Sequence, residues 1–139
     1  MNRANIRRAL PLASFLLVLA ASQAWGGQAT DDYISSLALS EAKRNLLLAQ
    51  SDVMERILAS GSADSREKRR IAADYLHNAE CLARAYAARG EDPGFMESSR
   101  HVTELVFDTP EKYRVFLRFM AFADSVDAGS IRTGGCGED

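Results

Sequence analysis

The chain is poor in the residues that most often carry chemistry. Its 139 residues include two histidines, two cysteines, one tryptophan and three prolines. There is no C-x-x-C pair, which excludes a thioredoxin-type redox centre, and no C-x-x-C-H, which excludes attached haem. There is no G-x-S-x-G nucleophile elbow. Gly134-Gly135 is not followed by the Lys-Ser/Thr and helix that a phosphate loop needs. No stretch alternates at period two, so a sheet fold has no support, and no fixed-period repeat suggests a solenoid. The chain is too short for a Rossmann or barrel enzyme and suits one domain. With 47% hydrophobic and 26% charged residues it is an ordinary globular chain, not a disordered one.

The apolar run from Leu10 to Ala21 is shorter than the roughly 20 residues of a membrane span. Arg3, Arg7 and Arg8 precede it, and Ser22-Gln23-Ala24 places small residues before a cut. Residues 1–24 therefore read as a cleaved secretory signal, with 25–139 as the mature domain and no membrane anchor. All 19 acids lie in the mature part against 14 of the 17 basic residues, so its net charge is −5 rather than −2. That acidity argues against nucleic acid as a partner. A short signal with no cysteine at the cut suits the periplasm. In an oxidising compartment the two cysteines, Cys81 and Cys136, pair as a disulfide.

Punctuation divides the mature chain into about four helices. Thr30-Asp31-Asp32 reads as the N-cap of helix 1, which runs to about Ala59 with a kink or restart at Ser40. Its stripe is Leu46, Ala49, Val53 and Ile57. A loop, Ser60 to Ala63, leads to Asp64, which caps helix 2 with Glu67 three residues on. Helix 2 ends at Arg89 before Gly90. Ile71, Tyr75, Leu82 and Tyr86, with Ala72, Leu76, Ala79 and Ala83, fill one apolar face centred near Ala79 and Tyr86, which leaves Cys81 on the outer side with Arg70, Asp74, His77 and Arg84. Asp92-Pro93 opens helix 3, to about Phe107, and Thr109-Pro110 opens helix 4, to about Asp127. Val115, Phe116, Leu117, Phe119, Met120 and Phe122 wrap most of helix 4. It reads as the centre of the bundle, or else as a helix with a second face for a partner. The tail from Gly129 has four glycines and no pattern, and a Cys81–Cys136 bridge would pin it across the outside of the bundle. The expected fold is an all-α bundle with an irregular C-terminal tail held by that disulfide.

Two titratable pairs merit a test for metal chemistry. His77 and Cys81 are four apart on one helical face but need a third ligand, and Glu80 points about 100° away. Glu97 and His101 are also four apart, not at the Glu-x-x-His spacing of di-metal bundles. Both pairs read as surface residues, so no metal, cofactor or catalytic group is assigned. Arg66, Lys68, Arg69 and Arg70 read as a solvated basic face flanked by acids.

A cleaved signal, about 115 mature residues, helices throughout, net acidity and the Cys81/Cys136 pair resemble the small helical periplasmic immunity proteins of type VI secretion amidase effectors. The likeness is one of layout and carries over no individual residue. It implies a non-enzymatic inhibitor that blocks the Cys-His site of an exported toxin or cell-wall hydrolase, often as a homodimer. For this sequence the partner-contacting candidates are two connections. The first is Glu91-Asp92 with Phe95 as an apolar anchor. The second is the small loop with Ser60 and Ser62. The alternative class is a periplasmic chaperone or stress adaptor, which would bind many clients weakly rather than one tightly.

Overall fold

The computed structural model describes residues 27–87, 93–126 and 135–136. The expected signal, residues 1–24, and the connection holding Gly90, Glu91 and Asp92 lie outside the described residues. The described elements are all helical: α1 over 27–36, α2 (Glu41–Leu58), a 3-10 turn (Ala59–Ser62), α3 (Ser65–Ala87), α4 (Pro93–Val106) and α5 (Pro110–Ala123). The count is five α-helices rather than four because the expected first helix is two. It breaks after Ser36 and restarts where Ser40, in an extended conformation, accepts from the Lys43 N–H. Arg44, one turn into α2, donates back to the carbonyls of Leu37 and Leu39 at 3.2 and 3.5 Å. It thereby satisfies groups that the break leaves without helical partners.

The other boundaries follow the punctuation. The Asp64 carboxylate accepts from the Glu67 N–H at 2.8 Å and starts α3. Thr109 caps α5 through the Lys112 N–H, with Pro110 at the first helical position. The loop expected at Ser60 is a 3-10 turn that tightens the end of α2, closed by a Ser60 hydroxyl bond to the Ile57 carbonyl.

The core lies in two apolar clusters. One joins Val53, Met54 and Ile57 of α2 to Ile71 and Ala72 of α3, to Val106 and Phe107, and to Phe119 and Ala123 of α5. The other joins Ile34, Leu47, Phe95 and Val102, with Leu37, Leu46 and Leu82 packed against it. Between Leu47 and Met54 of α2 sits Gln50, buried at 3% exposure. Its Nε2 donates to the Ser99 carbonyl and the Thr103 hydroxyl, and its Oε1 accepts from the Ser99 hydroxyl. A polar layer therefore separates the clusters and fixes α4 against α2.

Three expectations are corrected. Thr30 is not a cap: α1 already runs through residues 27–30, and Thr30 is buried one turn before Ile34 on the inward face. Helix α3 is rotated from the expected orientation. Ile71, Ala72, Tyr75 and Leu82 of the expected face do point inward, but Asn78, Cys81 and Ala85 join them while Ala83 is exposed, so the buried face is centred roughly 80° round from Ala79 and Tyr86. The alanines misled because their apolarity says little about burial, whereas Asn78 is buried and donates to the Leu46 carbonyl of α2. Finally, α2 occupies the centre, packing against α3, α4 and α5. Helix α5 lies at the edge. Phe119 is buried as expected, but Phe116, Met120 and Phe122 are half-buried, and Tyr113 and Leu117 are exposed.

Candidate functional site

The rotation of α3 decides where the disulfide goes. Cys81 lies on the flank of the buried stripe, 2% exposed, facing α2 rather than solvent. It is bonded to Cys136, with a Cα–Cα distance of 5.3 Å, so the tail is pinned as expected, but into the α2–α3 seam. Cys136 is half-buried. Together with Gly135 it closes one side of a cleft of about 390 Å³. Ala42, Leu46 and Ala49 of α2 line the cleft opposite His77 and Asn78 of α3. Arg56 of α2 meets Asp74 of α3 at 2.8 Å and Asp52 at 3.9 Å, all three on the cleft wall. This partly exposed ion pair contributes at most about 1 kcal/mol but orients the polar rim.

His77 is half-buried in this cleft, and its Nε2 lies 3.6 Å from Cys81 Sγ. Its Nδ1 is enclosed and has no hydrogen-bond partner. Among the described residues, His77, Cys81 and Cys136 form the one cluster of three metal-ligating side chains, with ligand atoms all within 4.8 Å. The third member of the pair read from the sequence is thus Cys136, which sequence reasoning had assigned only to the bridge. His101 is elsewhere, exposed on α4. It packs edge-on against Tyr33 at 4.6 Å and lies 3.4 Å from Glu104, not Glu97.

A second surface lies on α5. Tyr113 and Leu117, 49% and 50% exposed, are one turn apart on its outer face, flanked by exposed Arg114 and Arg118. Arg118 also borders an apolar cleft of about 310 Å³ shared with Lys68, Val115, Phe119, Phe122 and the Ser60–Gly61 turn. Two carboxyl or hydroxyl groups near this end are perturbed. Burial pushes the Glu55 carboxyl up, opposed by Lys112 and reinforced by Asp108 and Asp31. Burial also raises the Tyr75 hydroxyl, whose ring packs edge-on against Phe116.

The partner-contacting candidates divide sharply. Phe95 is 1% exposed, at the middle of the second core cluster with Lys43 above its ring, so it is a core residue and not an apolar anchor. Ser60 is buried and bonded to the Ile57 carbonyl, whereas Ser62 is exposed on the turn. Glu91 and Asp92 lie outside the described residues. The exposed Tyr113 and Leu117 fit the second of the two readings of helix 4, a face left over for a partner, although the sequence did not single out these two residues. Helix α2 is also turned from its expected stripe, with Ala49 exposed and Leu47, Gln50 and Met54 buried beside Val53 and Ile57, and the polar residues Gln50 and Asn78, each on its helix's inward face, were the available signal. No protein-family model matches this chain, and neither a curated protein nor a solved structure matches it. Among the described residues, no helix is long and apolar enough to cross a membrane.

Proposed function

We propose that this protein is an exported, non-enzymatic binding protein that inhibits a cell-wall hydrolase, a peptidoglycan amidase in the first instance. The observation that carries the reading is the outer face of α5. Tyr113 and Leu117 are exposed on a helix whose other side, through Phe119 and Ala123, is already committed to the core. Large apolar side chains grouped on a surface and flanked by arginines have the composition of binding hot spots. The face continues through Arg118 to the turn holding Gly61 and exposed Ser62, a small element suited to enter an enzyme groove. The pinned tail and the α2–α4 polar layer keep this helical frame fixed, so association would order few further groups. The disulfide accords with an oxidising compartment, where cell-wall hydrolases work.

The test is co-expression. Cells made to export a peptidoglycan amidase that the protein recognises should survive only when the protein is exported with it. Lysis at the same rate with and without the protein contradicts the proposal. Suppressed aggregation of unrelated proteins without protection would favour the chaperone class instead.

A further inference from the structure

We propose that, once its disulfide is reduced, this protein binds a zinc ion through His77 Nε2, Cys81 Sγ and Cys136 Sγ. Thiolate and imidazole together select thiophilic cations such as zinc over magnesium or calcium. With zinc–sulfur bonds near 2.3 Å and zinc–nitrogen bonds near 2.05 Å, tetrahedral geometry sets nitrogen and sulfur about 3.5 Å apart. His77 Nε2 and Cys81 Sγ are 3.6 Å apart, so two ligands already stand at the spacing that a bound ion requires. The third, Cys136 Sγ, lies within the same 4.8 Å cluster. The two sulfurs, bonded to each other now, would part to about 3.8 Å around the ion, a side-chain rotation at Cys136. The adjoining cleft of about 390 Å³ gives room for water at the fourth position.

His77 has no other assignment in the fold. Its Nδ1 has no hydrogen-bond partner, and its Nε2 contacts the Cys81 sulfur. In the tautomer protonated at Nδ1, the Nε2 lone pair faces that sulfur. An intact disulfide is a poor ligand, so the site exists only in the dithiol state. Its formation therefore needs a dithiol reductant. Cys81 is enclosed and Cys136 half-buried, so the incoming thiolate attacks Cys136 Sγ and Cys81 leaves as the thiolate. The reductant's second thiol then displaces Cys136, and the reductant ends as a disulfide. Zinc binding replaces the two thiol protons and releases them to solvent, while His77 binds as the neutral imidazole.

The experiment uses the purified chain, reduced with a phosphine that is then removed under anaerobic conditions. Far-UV circular dichroism establishes that the helices persist, and cobalt(II) serves as the visible probe before zinc displaces it. The expected result is one cobalt per chain, with sulfur-to-cobalt charge-transfer and tetrahedral bands that zinc abolishes. The oxidised chain should give no bands. His77→Ala should raise the zinc Kd at least about tenfold, since even outer-shell partners act on that scale, while His101→Ala leaves it unchanged. The proposal is overturned if the reduced chain binds zinc no better than the oxidised chain, or if His77→Ala binds as tightly. It is equally overturned if reduction melts the helices, because the fold would not then assemble the site.

Discussion

Gln50 and Ser99 exchange two hydrogen bonds across the α2–α4 interface, each 2.9 Å long. The amide donates to the Ser99 carbonyl and accepts from the Ser99 hydroxyl. Because the amide is buried, the pair acts as a lock on register rather than as a surface contact. Gln50→Ala should cost about 2–3 kcal/mol, the usual scale when buried polar partners are orphaned and a cavity is left. Urea denaturation checks this, and a loss below about 0.5 kcal/mol, as at surface sites, would contradict it.

The Cys81–Cys136 bridge closes a separation of 55 residues. Chain-entropy reasoning assigns such a loop about 4 kcal/mol. Denaturant midpoints with and without reductant should differ accordingly, and the m-value should rise on reduction because the unfolded chain is no longer cross-linked. Unreduced protein should be two hydrogens light by mass spectrometry and give a linked peptide pair. Two free thiols in folded, oxidised protein would contradict the bridge.

Helix α5 offers a paired comparison. Phe119 is buried against Ala123 and α2, whereas Leu117 is half exposed two residues away. Phe119→Ala should cost about 3–5 kcal/mol, and Leu117→Ala should fall within about 0.5 kcal/mol of the parent. Equal effects at the two positions would mean that the helix is rotated from the orientation described.

Burial raises the Glu55 carboxyl above its ordinary 4.5, against the opposing pull of Lys112 and with the push of Asp108 and Asp31. A raised folded-state value means that the folded protein holds the proton more tightly. The stability linked to this group is present below the unfolded value and lost as pH rises through the folded one. Glu55→Gln cannot ionise, so it should be more stable than the parent at pH 7. Thermal melts across pH should show that gap closing as pH falls through the raised folded-state value, and gone below the ordinary 4.5. A less stable variant at pH 7 would contradict the assignment.

How far the sequence could be read depended on whether a feature was local. The caps at Ser40, Asp64 and Thr109 were legible because each is settled by a side chain and an N–H three residues on. The disulfide was legible from two cysteines in a chain whose sequence reads as exported. Helix orientation was not. Ala79 and Ala83 suit an interior or a surface equally, while Asn78 and Cys81 turn inward because α2 offers a carbonyl and the tail offers a second sulfur. The same ambiguity hid the outer face of α5. An apolar helix at the edge of a bundle has the same sequence pattern as one at its centre. Phe95 was legible as core from its spacing with Val102 and Val106 on one apolar stripe, and it does face Leu47 and Val102; what fails is its second reading as a partner anchor, which rested only on the turn before it.

The most direct test of the inhibitor reading is a titration of peptidoglycan cleavage. A panel of purified exported peptidoglycan amidases would each be assayed against increasing amounts of this protein and of Leu117→Asp, with the fold of both checked by circular dichroism. The account predicts loss of cleavage at one equivalent of the parent and, for the folded variant, at least about a hundredfold weaker inhibition, as for loss of a hot-spot residue. Undiminished cleavage at excess parent protein, or equal inhibition by the folded variant, would contradict it.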